Sequence, residues 1–376
     1  MPDVSLVIPT MNEIGTICDC IQMARKVFDE MGLHGEVIVA DSSDDGTFEA
    51  ARACGAEVFR PSKLGYGNAY LEGFSHAKGR YVVIMDGDLT YDPKEMKGFL
   101  ELLLDGKWDM VMGTRLKGRI EPGAMPTLHR YVGNPALTWI LNCLFDTKIS
   151  DAHCGMRAIT RESLDKLSLR TGGMELASEM VIEAASKGLR ITEVPITYHP
   201  RRGQSKLSSF SDGWRHLRFM MLYRPVPFLM GPGLLALAVG LALAVGISLR
   251  AGAEARMHTL ILGSLLLIAG YQMLLAGIYF SAFGVAYGIS GGSRIIKKLM
   301  SYHSLEKELI LGLGFLALGV VLGIKVILSW SASGFGSLYE IQAAMMALIL
   351  SIIGIQTTFS GMFISLLLLK NGDGGL

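Results

Sequence analysis

From Pro227 onward the chain runs through four long apolar stretches, about residues 228–249, 259–283, 309–330 and 341–369. Each is long enough to cross a hydrocarbon core of about 30 Å as a helix. Before Pro227 the character differs, and charged and turn-forming residues recur from Met1 to Arg224. A content of 50% hydrophobic residues and a mean hydropathy of +0.39 are too apolar for two soluble domains. We therefore expect a soluble domain over residues 1–206, an amphipathic connecting region over 207–226, and an all-α membrane domain of four helices over 227–376. A net charge of +1 without a basic tail gives no reason to expect a nucleic-acid partner.

Within the soluble part, short apolar runs alternate with helical patterns. Val4–Pro9, Glu36–Asp41, Glu57–Arg60, Tyr81–Met85 and Asp109–Gly113 read as strands. Helices are predicted over Thr16–Met31, over Phe48–Cys54, after the Gly-containing loop Lys63–Asn68, and from Pro93 to about Asp105. Asp92-Pro93 is a clear helix start, with Asp as N-cap and Pro at the first helical position. Such alternation implies crossover connections and a mainly parallel sheet, an α/β fold. Ligands of these sheets bind outside the carboxyl ends of the strands. Pro9 to Glu13, Asp41, Asp86-Gly87-Asp88 and Gly113-Thr114-Arg115 all follow strand ends, so polar groups converge on one edge. No GxGxxG follows the first strand, which argues against a dinucleotide-binding domain. The five cysteines, Cys18, Cys20, Cys54, Cys143 and Cys154, match no zinc spacing and are expected as reduced, packed thiols.

The sharpest chemical signal is Asp86-Gly87-Asp88, at the exit of the buried run Tyr81–Met85. Two carboxylates there are costly to hold without a cation. A divalent metal carrying a diphosphate would satisfy them, because Mg²⁺ is usually held by one or two carboxylates plus phosphates. The plain alternative is an Asp-Gly corner.

Five segments in order, VIPTMNE, VADSSDDGT, KLGYGNAYLEGF, YVVIMDGDLTYDP and VMGTRLKG, resemble the family 2 glycosyltransferases. EPGAMPTLHRYVGN…ISDAHCGMR and YHPRRGQSKL resemble, within that family, the polyprenyl-phosphate hexose synthases of the dolichyl-phosphate mannose or glucose synthase group. The resemblance implies a glycosyltransferase A-type domain with a single nucleotide-sugar site. It places Pro9 and Glu13 at the nucleotide, Asp41 at its base or ribose, and Asp86 and Asp88 on a Mg²⁺ or Mn²⁺ that bridges the diphosphate. Where the family has paired acids after the second strand, this chain has Ala40-Asp41, so Asp41 alone is carried over; Asp44 and Asp45 read as turn and cap residues. Glu179 is placed by the donor sugar or the acceptor phosphate, against the alternative of a solvated helix face.

The implied reaction is one inverting displacement, in which a lipid phosphate oxygen attacks the anomeric carbon and nucleoside diphosphate leaves. A phosphate monoester is largely ionised at pH 7, so a base is not strictly required. The site must position its substrates and neutralise charge. Asp88, Arg115 and Asp151 are expected to carry the chemistry; for Asp151, as for His153, holding sugar hydroxyls, shaping the acceptor site and acting as base all stay open. Arg119, Arg130, Arg201, Arg202 and Lys206 are candidates for the acceptor phosphate, the arginines because a planar fork fits its oxygens.

Phe210, Trp214, Leu217 and Met221 recur at helical spacing with Arg215, Arg218 and Arg224 between them, which suits an interfacial helix. Gly284–Glu308 contains Arg294, Lys297, Lys298 and Lys307, whereas Ser331–Glu340 has no Lys or Arg. The positive-inside rule then places the catalytic domain and the C-terminus in the cytosol, and the N-terminus lacks the pattern of a signal peptide. Lys325 falls inside the third stretch, where it would snorkel or meet a partner such as Glu340. The Gly-rich spans suggest close helix contacts, including contacts between subunits in a homo-oligomer. Two competing readings are a processive polysaccharide synthase, whose QxxRW motif is absent here, and a catalytically inactive sugar-binding membrane protein.

Overall fold

The structure, a computed structural model of the full chain, describes residues 1–202, 209–248, 257–286, 305–336 and 340–369. It divides into two units, Met1–Phe219 and Met220–Leu376.

The first unit is an α/β domain around a seven-stranded sheet in the order β3-β2-β1-β4-β6-β5-β7. The strands are β1 Val4–Thr10, β2 Gly35–Asp41, β3 Glu57–Phe59, β4 Tyr81–Ile84, β5 Met110–Ile120, β6 Arg157–Thr160 and β7 Ile191–Tyr198. Between and after them lie α1 Ile17–Met31, α2 Thr47–Ala53, α3 Tyr66–His76, α4 Met96–Leu104, α5 Asn134–Phe145, α6 Arg161–Lys166, α7 Leu176–Ser186 and α8 Ser209–Tyr223. Val4, Leu6 and Ile8, every second residue of β1, pack with Ile17, Ile21, Ala24 and Phe28 of α1 and with Met96, Phe99 and Leu100 of α4. Periods of about 2 and 3.6 thus meet in one core. The opposite face takes α3, whose Gly73 lies so close that an added Cβ would stand 2.4 Å from Val7 Cγ1.

Pairing is parallel for β1 with β2 and β4, for β2 with β3, and for β5 with β7. Only β6, between β4 and β5, runs antiparallel to its neighbours. Its start therefore lies at the edge where the parallel strands end, and this brings the residues ahead of Arg157 to the site. The sequence reading ends the fifth strand at Gly113; β5 continues to Ile120 because β7 pairs along it, with a register shift between Thr114 and Arg119. The cysteines also depart from expectation. Cys18 of α1 and Cys54 at the end of α2 form a disulfide, since the two helices pack side by side in a way that spacing alone does not reveal. Cys20 and Cys154 are buried free thiols, pushed up to about 12 by burial.

On α8, His216 and Phe219 are buried while Trp214 is 52% exposed. The face docked on the domain is therefore a different one from the stripe through Trp214 and Leu217 that reads as interfacial.

The second unit contains α9 Gly231–Ser248, α10 Met257–Ala286, α11 Leu305–Ala332 and α12 Ile341–Leu369. Candidate membrane spans cover Val226–Gly246, Met257–Gly284, Leu305–Ala332 and Ile341–Leu367. α9 packs on α10 and α11 on α12, with α10 also against α12. Glycines recur every seven residues on these helices (Gly233 and Gly240, Gly263 and Gly270, Gly312 and Gly319, Gly354 and Gly361), which keeps them on one face. A Cβ on Gly240 would lie 2.6 Å from Leu267 N, and one on Gly354 would lie 2.4 Å from Leu316 N. Backbones this close are how helices associate in lipid, where burial of apolar surface supplies no drive. The close contacts expected of these glycines are thus made within the chain. Lys325 is exposed on α11 and meets no carboxylate among the described residues, while Glu340 accepts a hydrogen bond from Ser329 Oγ at 3.1 Å.

Candidate active site

The loops that leave β1 and β2 are laced together. Asn12 N–H donates to Ser43 Oγ at 2.7 Å, Glu13 N–H to Thr47 Oγ1 at 3.0 Å, and Asp44 N–H to Asn12 Oδ1 at 3.2 Å. Asp45, just ahead of α2, accepts from Thr47 N–H at 3.0 Å. At the base of the loops lies Asp41, fully buried. Its Oδ1 accepts from Thr10 Oγ1 at 2.7 Å and from Ser43 Oγ. Among the described residues its Oδ2 is buried with no hydrogen-bond partner, and Arg60 lies 3.8 Å away. An unsatisfied buried acceptor is costly, so this atom marks a place where a ligand's N–H or O–H can dock. Pro9, half-buried, pairs with Ala40 just below.

The acid turn follows β4. Thr16 Oγ1, at the start of α1, donates to Gly87 O at 2.8 Å and ties the two segments together. Asp88 Oδ1 accepts from Thr90 N–H at 3.0 Å and Thr90 Oγ1 at 2.6 Å. This closes a tight loop that puts Leu89 at φ 59°, a left-handed conformation that L side chains rarely adopt. Tyr66 OH donates to Asp86 Oδ1 at 3.1 Å. Burial and the Asp88 charge push the Asp86 carboxyl up to about 7. Arg201 Nε donates to Asp88 Oδ2 at 2.5 Å, and its guanidinium lies 3.9 Å from Glu13 Oε1. Excess negative charge and two hard oxygen ligands fit a divalent cation of the Mg²⁺ or Mn²⁺ kind. Among the described residues no group of three metal-ligating side chains occurs, so such an ion would rest on Asp86 and Asp88 together with ligands from outside the chain.

Beside the acid turn, the exit of β5 meets the segment that enters β6. Asp151, fully buried, accepts from Arg115 N–H at 3.1 Å, Nε at 2.7 Å and the terminal NH2 nitrogen at 2.8 Å. Burial alone would raise its carboxyl; the Arg115 guanidinium overrides this and holds it below the usual carboxylate range. Arg115 also lies over the Tyr198 ring, 5.2 Å from its centre. Glu193 of β7 fixes the turn by accepting from Ser150 N–H at 2.6 Å, Asp151 N–H at 3.2 Å and Lys117 Nζ at 3.1 Å. Arg157, 1% exposed, donates to the carbonyls of Ala152, Cys154 and Ala177 at 2.8, 2.9 and 2.7 Å. Ser178 Oγ bridges His216 Nδ1 at 2.8 Å and His153 Nε2 at 3.3 Å.

The structure thus brings Glu13, Asp86, Asp88 and Arg201 together, and Arg115 onto Asp151. Arg201 sits on the acid pair that the sequence reading assigned to the metal. The Glu179 carboxylate accepts from Arg170 N–H at 3.0 Å, Thr171 N–H at 2.9 Å and Thr171 Oγ1 at 2.6 Å, and so anchors a loop. Arg119 is exposed, Arg130 lies over Tyr131, and Arg202 is exposed with Asp19 at 3.8 Å. Lys206 lies outside the described residues. Sequence reasoning missed Tyr66, Glu193 and His216. Only Tyr66 had a local signal, its place in the Gly-containing loop.

Comparison with known proteins identifies the chain as a membrane glycosyltransferase. Residues 5–168 match glycosyl transferase family 2, and residues 278–368 match the glycosyltransferase family 2 C-terminal transmembrane region. The chain is 40% identical over 362 residues, 95% of its length and 87% of the relative's, to the low-salt glycan biosynthesis hexosyltransferase Agl6 of Haloferax volcanii, and it belongs to family 2. It is also 36% identical over 212 residues, 56% of its length and 89% of the relative's, to the dolichyl-phosphate hexose transferase of the same organism. Its fold is similar to that of mannosyl-3-phosphoglycerate synthase from Rubrobacter xylanophilus, with a TM-score of 0.50 at 21% identity over 60% of this chain and 74% of that one.

Proposed function

We propose that this chain moves one hexose from a nucleotide sugar, of the GDP-mannose or UDP-glucose type, to a polyprenyl phosphate of the dolichyl or undecaprenyl kind, with inversion at the anomeric carbon. The observation that carries the reading is the pairing of a buried acid turn with arginines at one sheet edge, on a chain that also has four candidate membrane spans. The names of its relatives, a hexosyltransferase and a dolichyl-phosphate hexose transferase, support the same class.

In this reading Asp41 Oδ2 accepts a hydrogen bond from the base or ribose, and the Pro9 to Glu13 loop borders the nucleotide. Asp86 and Asp88 hold a Mg²⁺ or Mn²⁺, which supplies charge neutralisation to the leaving diphosphate. Arg115, fixed in plane by Asp151, presents its remaining N–H donors to the reacting phosphates. The acceptor's ionised oxygen forms the new bond to the anomeric carbon as the bond to the nucleoside diphosphate breaks, so no proton need be removed. Arg201 and Arg202 then serve the lipid phosphate. A prenyl chain remains in the bilayer because each buried CH₂ contributes about 0.8 kcal/mol. The phosphate is therefore met at the headgroup level, where the stripe through Trp214 and Leu217 would lie. The Lys and Arg bias of the loops supports a cytosolic catalytic domain.

The test is a donor screen with the full chain in detergent, a short polyprenyl phosphate and each nucleotide sugar with Mg²⁺ or Mn²⁺, read by mass spectrometry of the lipid fraction. The expected product carries one hexose per lipid phosphate, with inverted configuration by NMR. Several sugars per lipid, or no transfer from any donor, would overturn the proposal.

A further inference from the structure

Three arginines reach this site, and they are held differently. Arg115 makes three hydrogen bonds to one carboxylate and is 7% exposed. Arg157 is clamped by three main-chain carbonyls and is 1% exposed. Among the described residues Arg201 makes a single hydrogen bond, to Asp88 Oδ2, and its side chain is 27% exposed. The first two are fixtures, whereas the third is placed to leave.

The atom that Arg201 holds is also the one a metal would need. Asp88 Oδ1 already accepts two hydrogen bonds from Thr90, so Oδ2 is the oxygen left to face a ligand. We infer that Arg201 is the resting counter-ion of the acid pair, and that a divalent cation displaces it from Asp88 on binding. This rests on the reading of Asp86 and Asp88 as the cation's ligands. A guanidinium and a doubly charged ion on one oxygen repel each other at short range, here beside a carboxylate that is only 2% exposed. Without either, two carboxylates would face each other uncompensated, with Glu13 close by. The main chain beside Arg201 need not move, because His199 N–H is anchored to Thr90 O at 2.9 Å. Rotation of the Arg201 side chain is enough. Competition is reciprocal: whatever factor Arg201 takes from cation affinity, the cation takes from the Arg201–Asp88 pair. Loading the metal therefore frees the guanidinium beside the site, at the moment an incoming phosphate needs a partner.

The test measures Mn²⁺ binding to the full chain in detergent without nucleotide, by loss of the free-ion EPR signal. Arg201→Gln should bind Mn²⁺ at least tenfold more tightly than the unaltered chain. Arg201→Lys, which keeps the charge, should stay within about threefold of the unaltered chain, and thermal unfolding of both variants should remain cooperative. Asp88→Asn should lose most of the binding. Equal or weaker binding by Arg201→Gln, with Asp88→Asn still deficient, overturns the counter-ion role and leaves the metal site standing. Undiminished binding by Asp88→Asn overturns the metal site and the counter-ion role with it.

Discussion

Acidification should undo the seat of His216 before most of the fold responds. The ring is 6% exposed and shares the Ser178 hydroxyl with His153. Burial first, and then the nearby Arg157 charge, push His216 down from its ordinary value of 6.5 to about 4. His153 is held low as well, by burial, by His216 and by the charges of Arg115 and Arg157. The folded value lies below the unfolded one, so folding binds the neutral ring and stability is fully present above pH 6.5. It declines as pH falls from 6.5 toward 4, because the unfolded chain takes up the proton first. Each unit corresponds to about 1.4 kcal/mol, so His216 should account for a loss of about 2 kcal/mol by pH 5. His216→Asn keeps a polar atom near the Nδ1 position and cannot titrate. At pH 7.5 it should be less stable by about 1 kcal/mol. Its stability should then fall less steeply with acid, so that the two proteins cross at about pH 6 and the variant is the more stable by about 1 kcal/mol at pH 5. Thermal unfolding of the full chain followed by tryptophan fluorescence between pH 4.5 and 8 would show this. Parallel curves for the two proteins across that range would refute the reasoning.

Three further outcomes follow from the same geometry. Asp88→Asn should remove most hexose transfer while leaving the melting temperature nearly unchanged, and chelation of divalent ions should do the same reversibly to the unaltered enzyme; near-native turnover of the variant would exclude the metal assignment. Asp151→Asn leaves the Arg115 guanidinium buried without its counter-charge, which should lower stability by about 3–5 kcal/mol, measured as a large drop in melting temperature together with loss of transfer. Gly319→Leu puts a side chain where an added Cβ already lies 2.4 Å from Ser351 Oγ, so α11 and α12 should separate; a cysteine pair across that interface should then cross-link far less efficiently than in the unaltered chain.

The alternation of strands and helices up to Gly113 was legible because buried parallel strands read as continuous apolar runs and Asp92-Pro93 starts a helix on local rules alone. Asp86 and Asp88 were legible for a related reason, since two acids at a buried strand's exit have few structural explanations. The second half of the sheet was not. β6 is only Arg157–Thr160 and begins with a buried arginine, and β7 carries Pro195 and Glu193 among its residues, so neither has an apolar run to announce it. The bonds of Glu179 were not legible, because a carboxylate on a helix can turn to a ligand or to the chain's own amides, and the sequence does not give the placement of Arg170 and Thr171. The docked face of α8 was not legible either, because it is marked by a histidine whose partner, Ser178, comes from another helix.

The long reach from Asp88 to Arg201, 113 positions along the chain, also sets an order of events during synthesis. Domains form from the N-terminus as the chain emerges at about 5–20 residues per second. Asp88 therefore meets Thr90 at once but waits about 6–23 seconds for Arg201 to be made. In that interval β7 has not been added to the sheet and the acid turn lacks its counter-ion. The residues that complete it are followed almost directly by the first candidate span, which begins at Val226. A nascent chain thus closes its charged edge at nearly the same time as it presents its first apolar helix to the membrane.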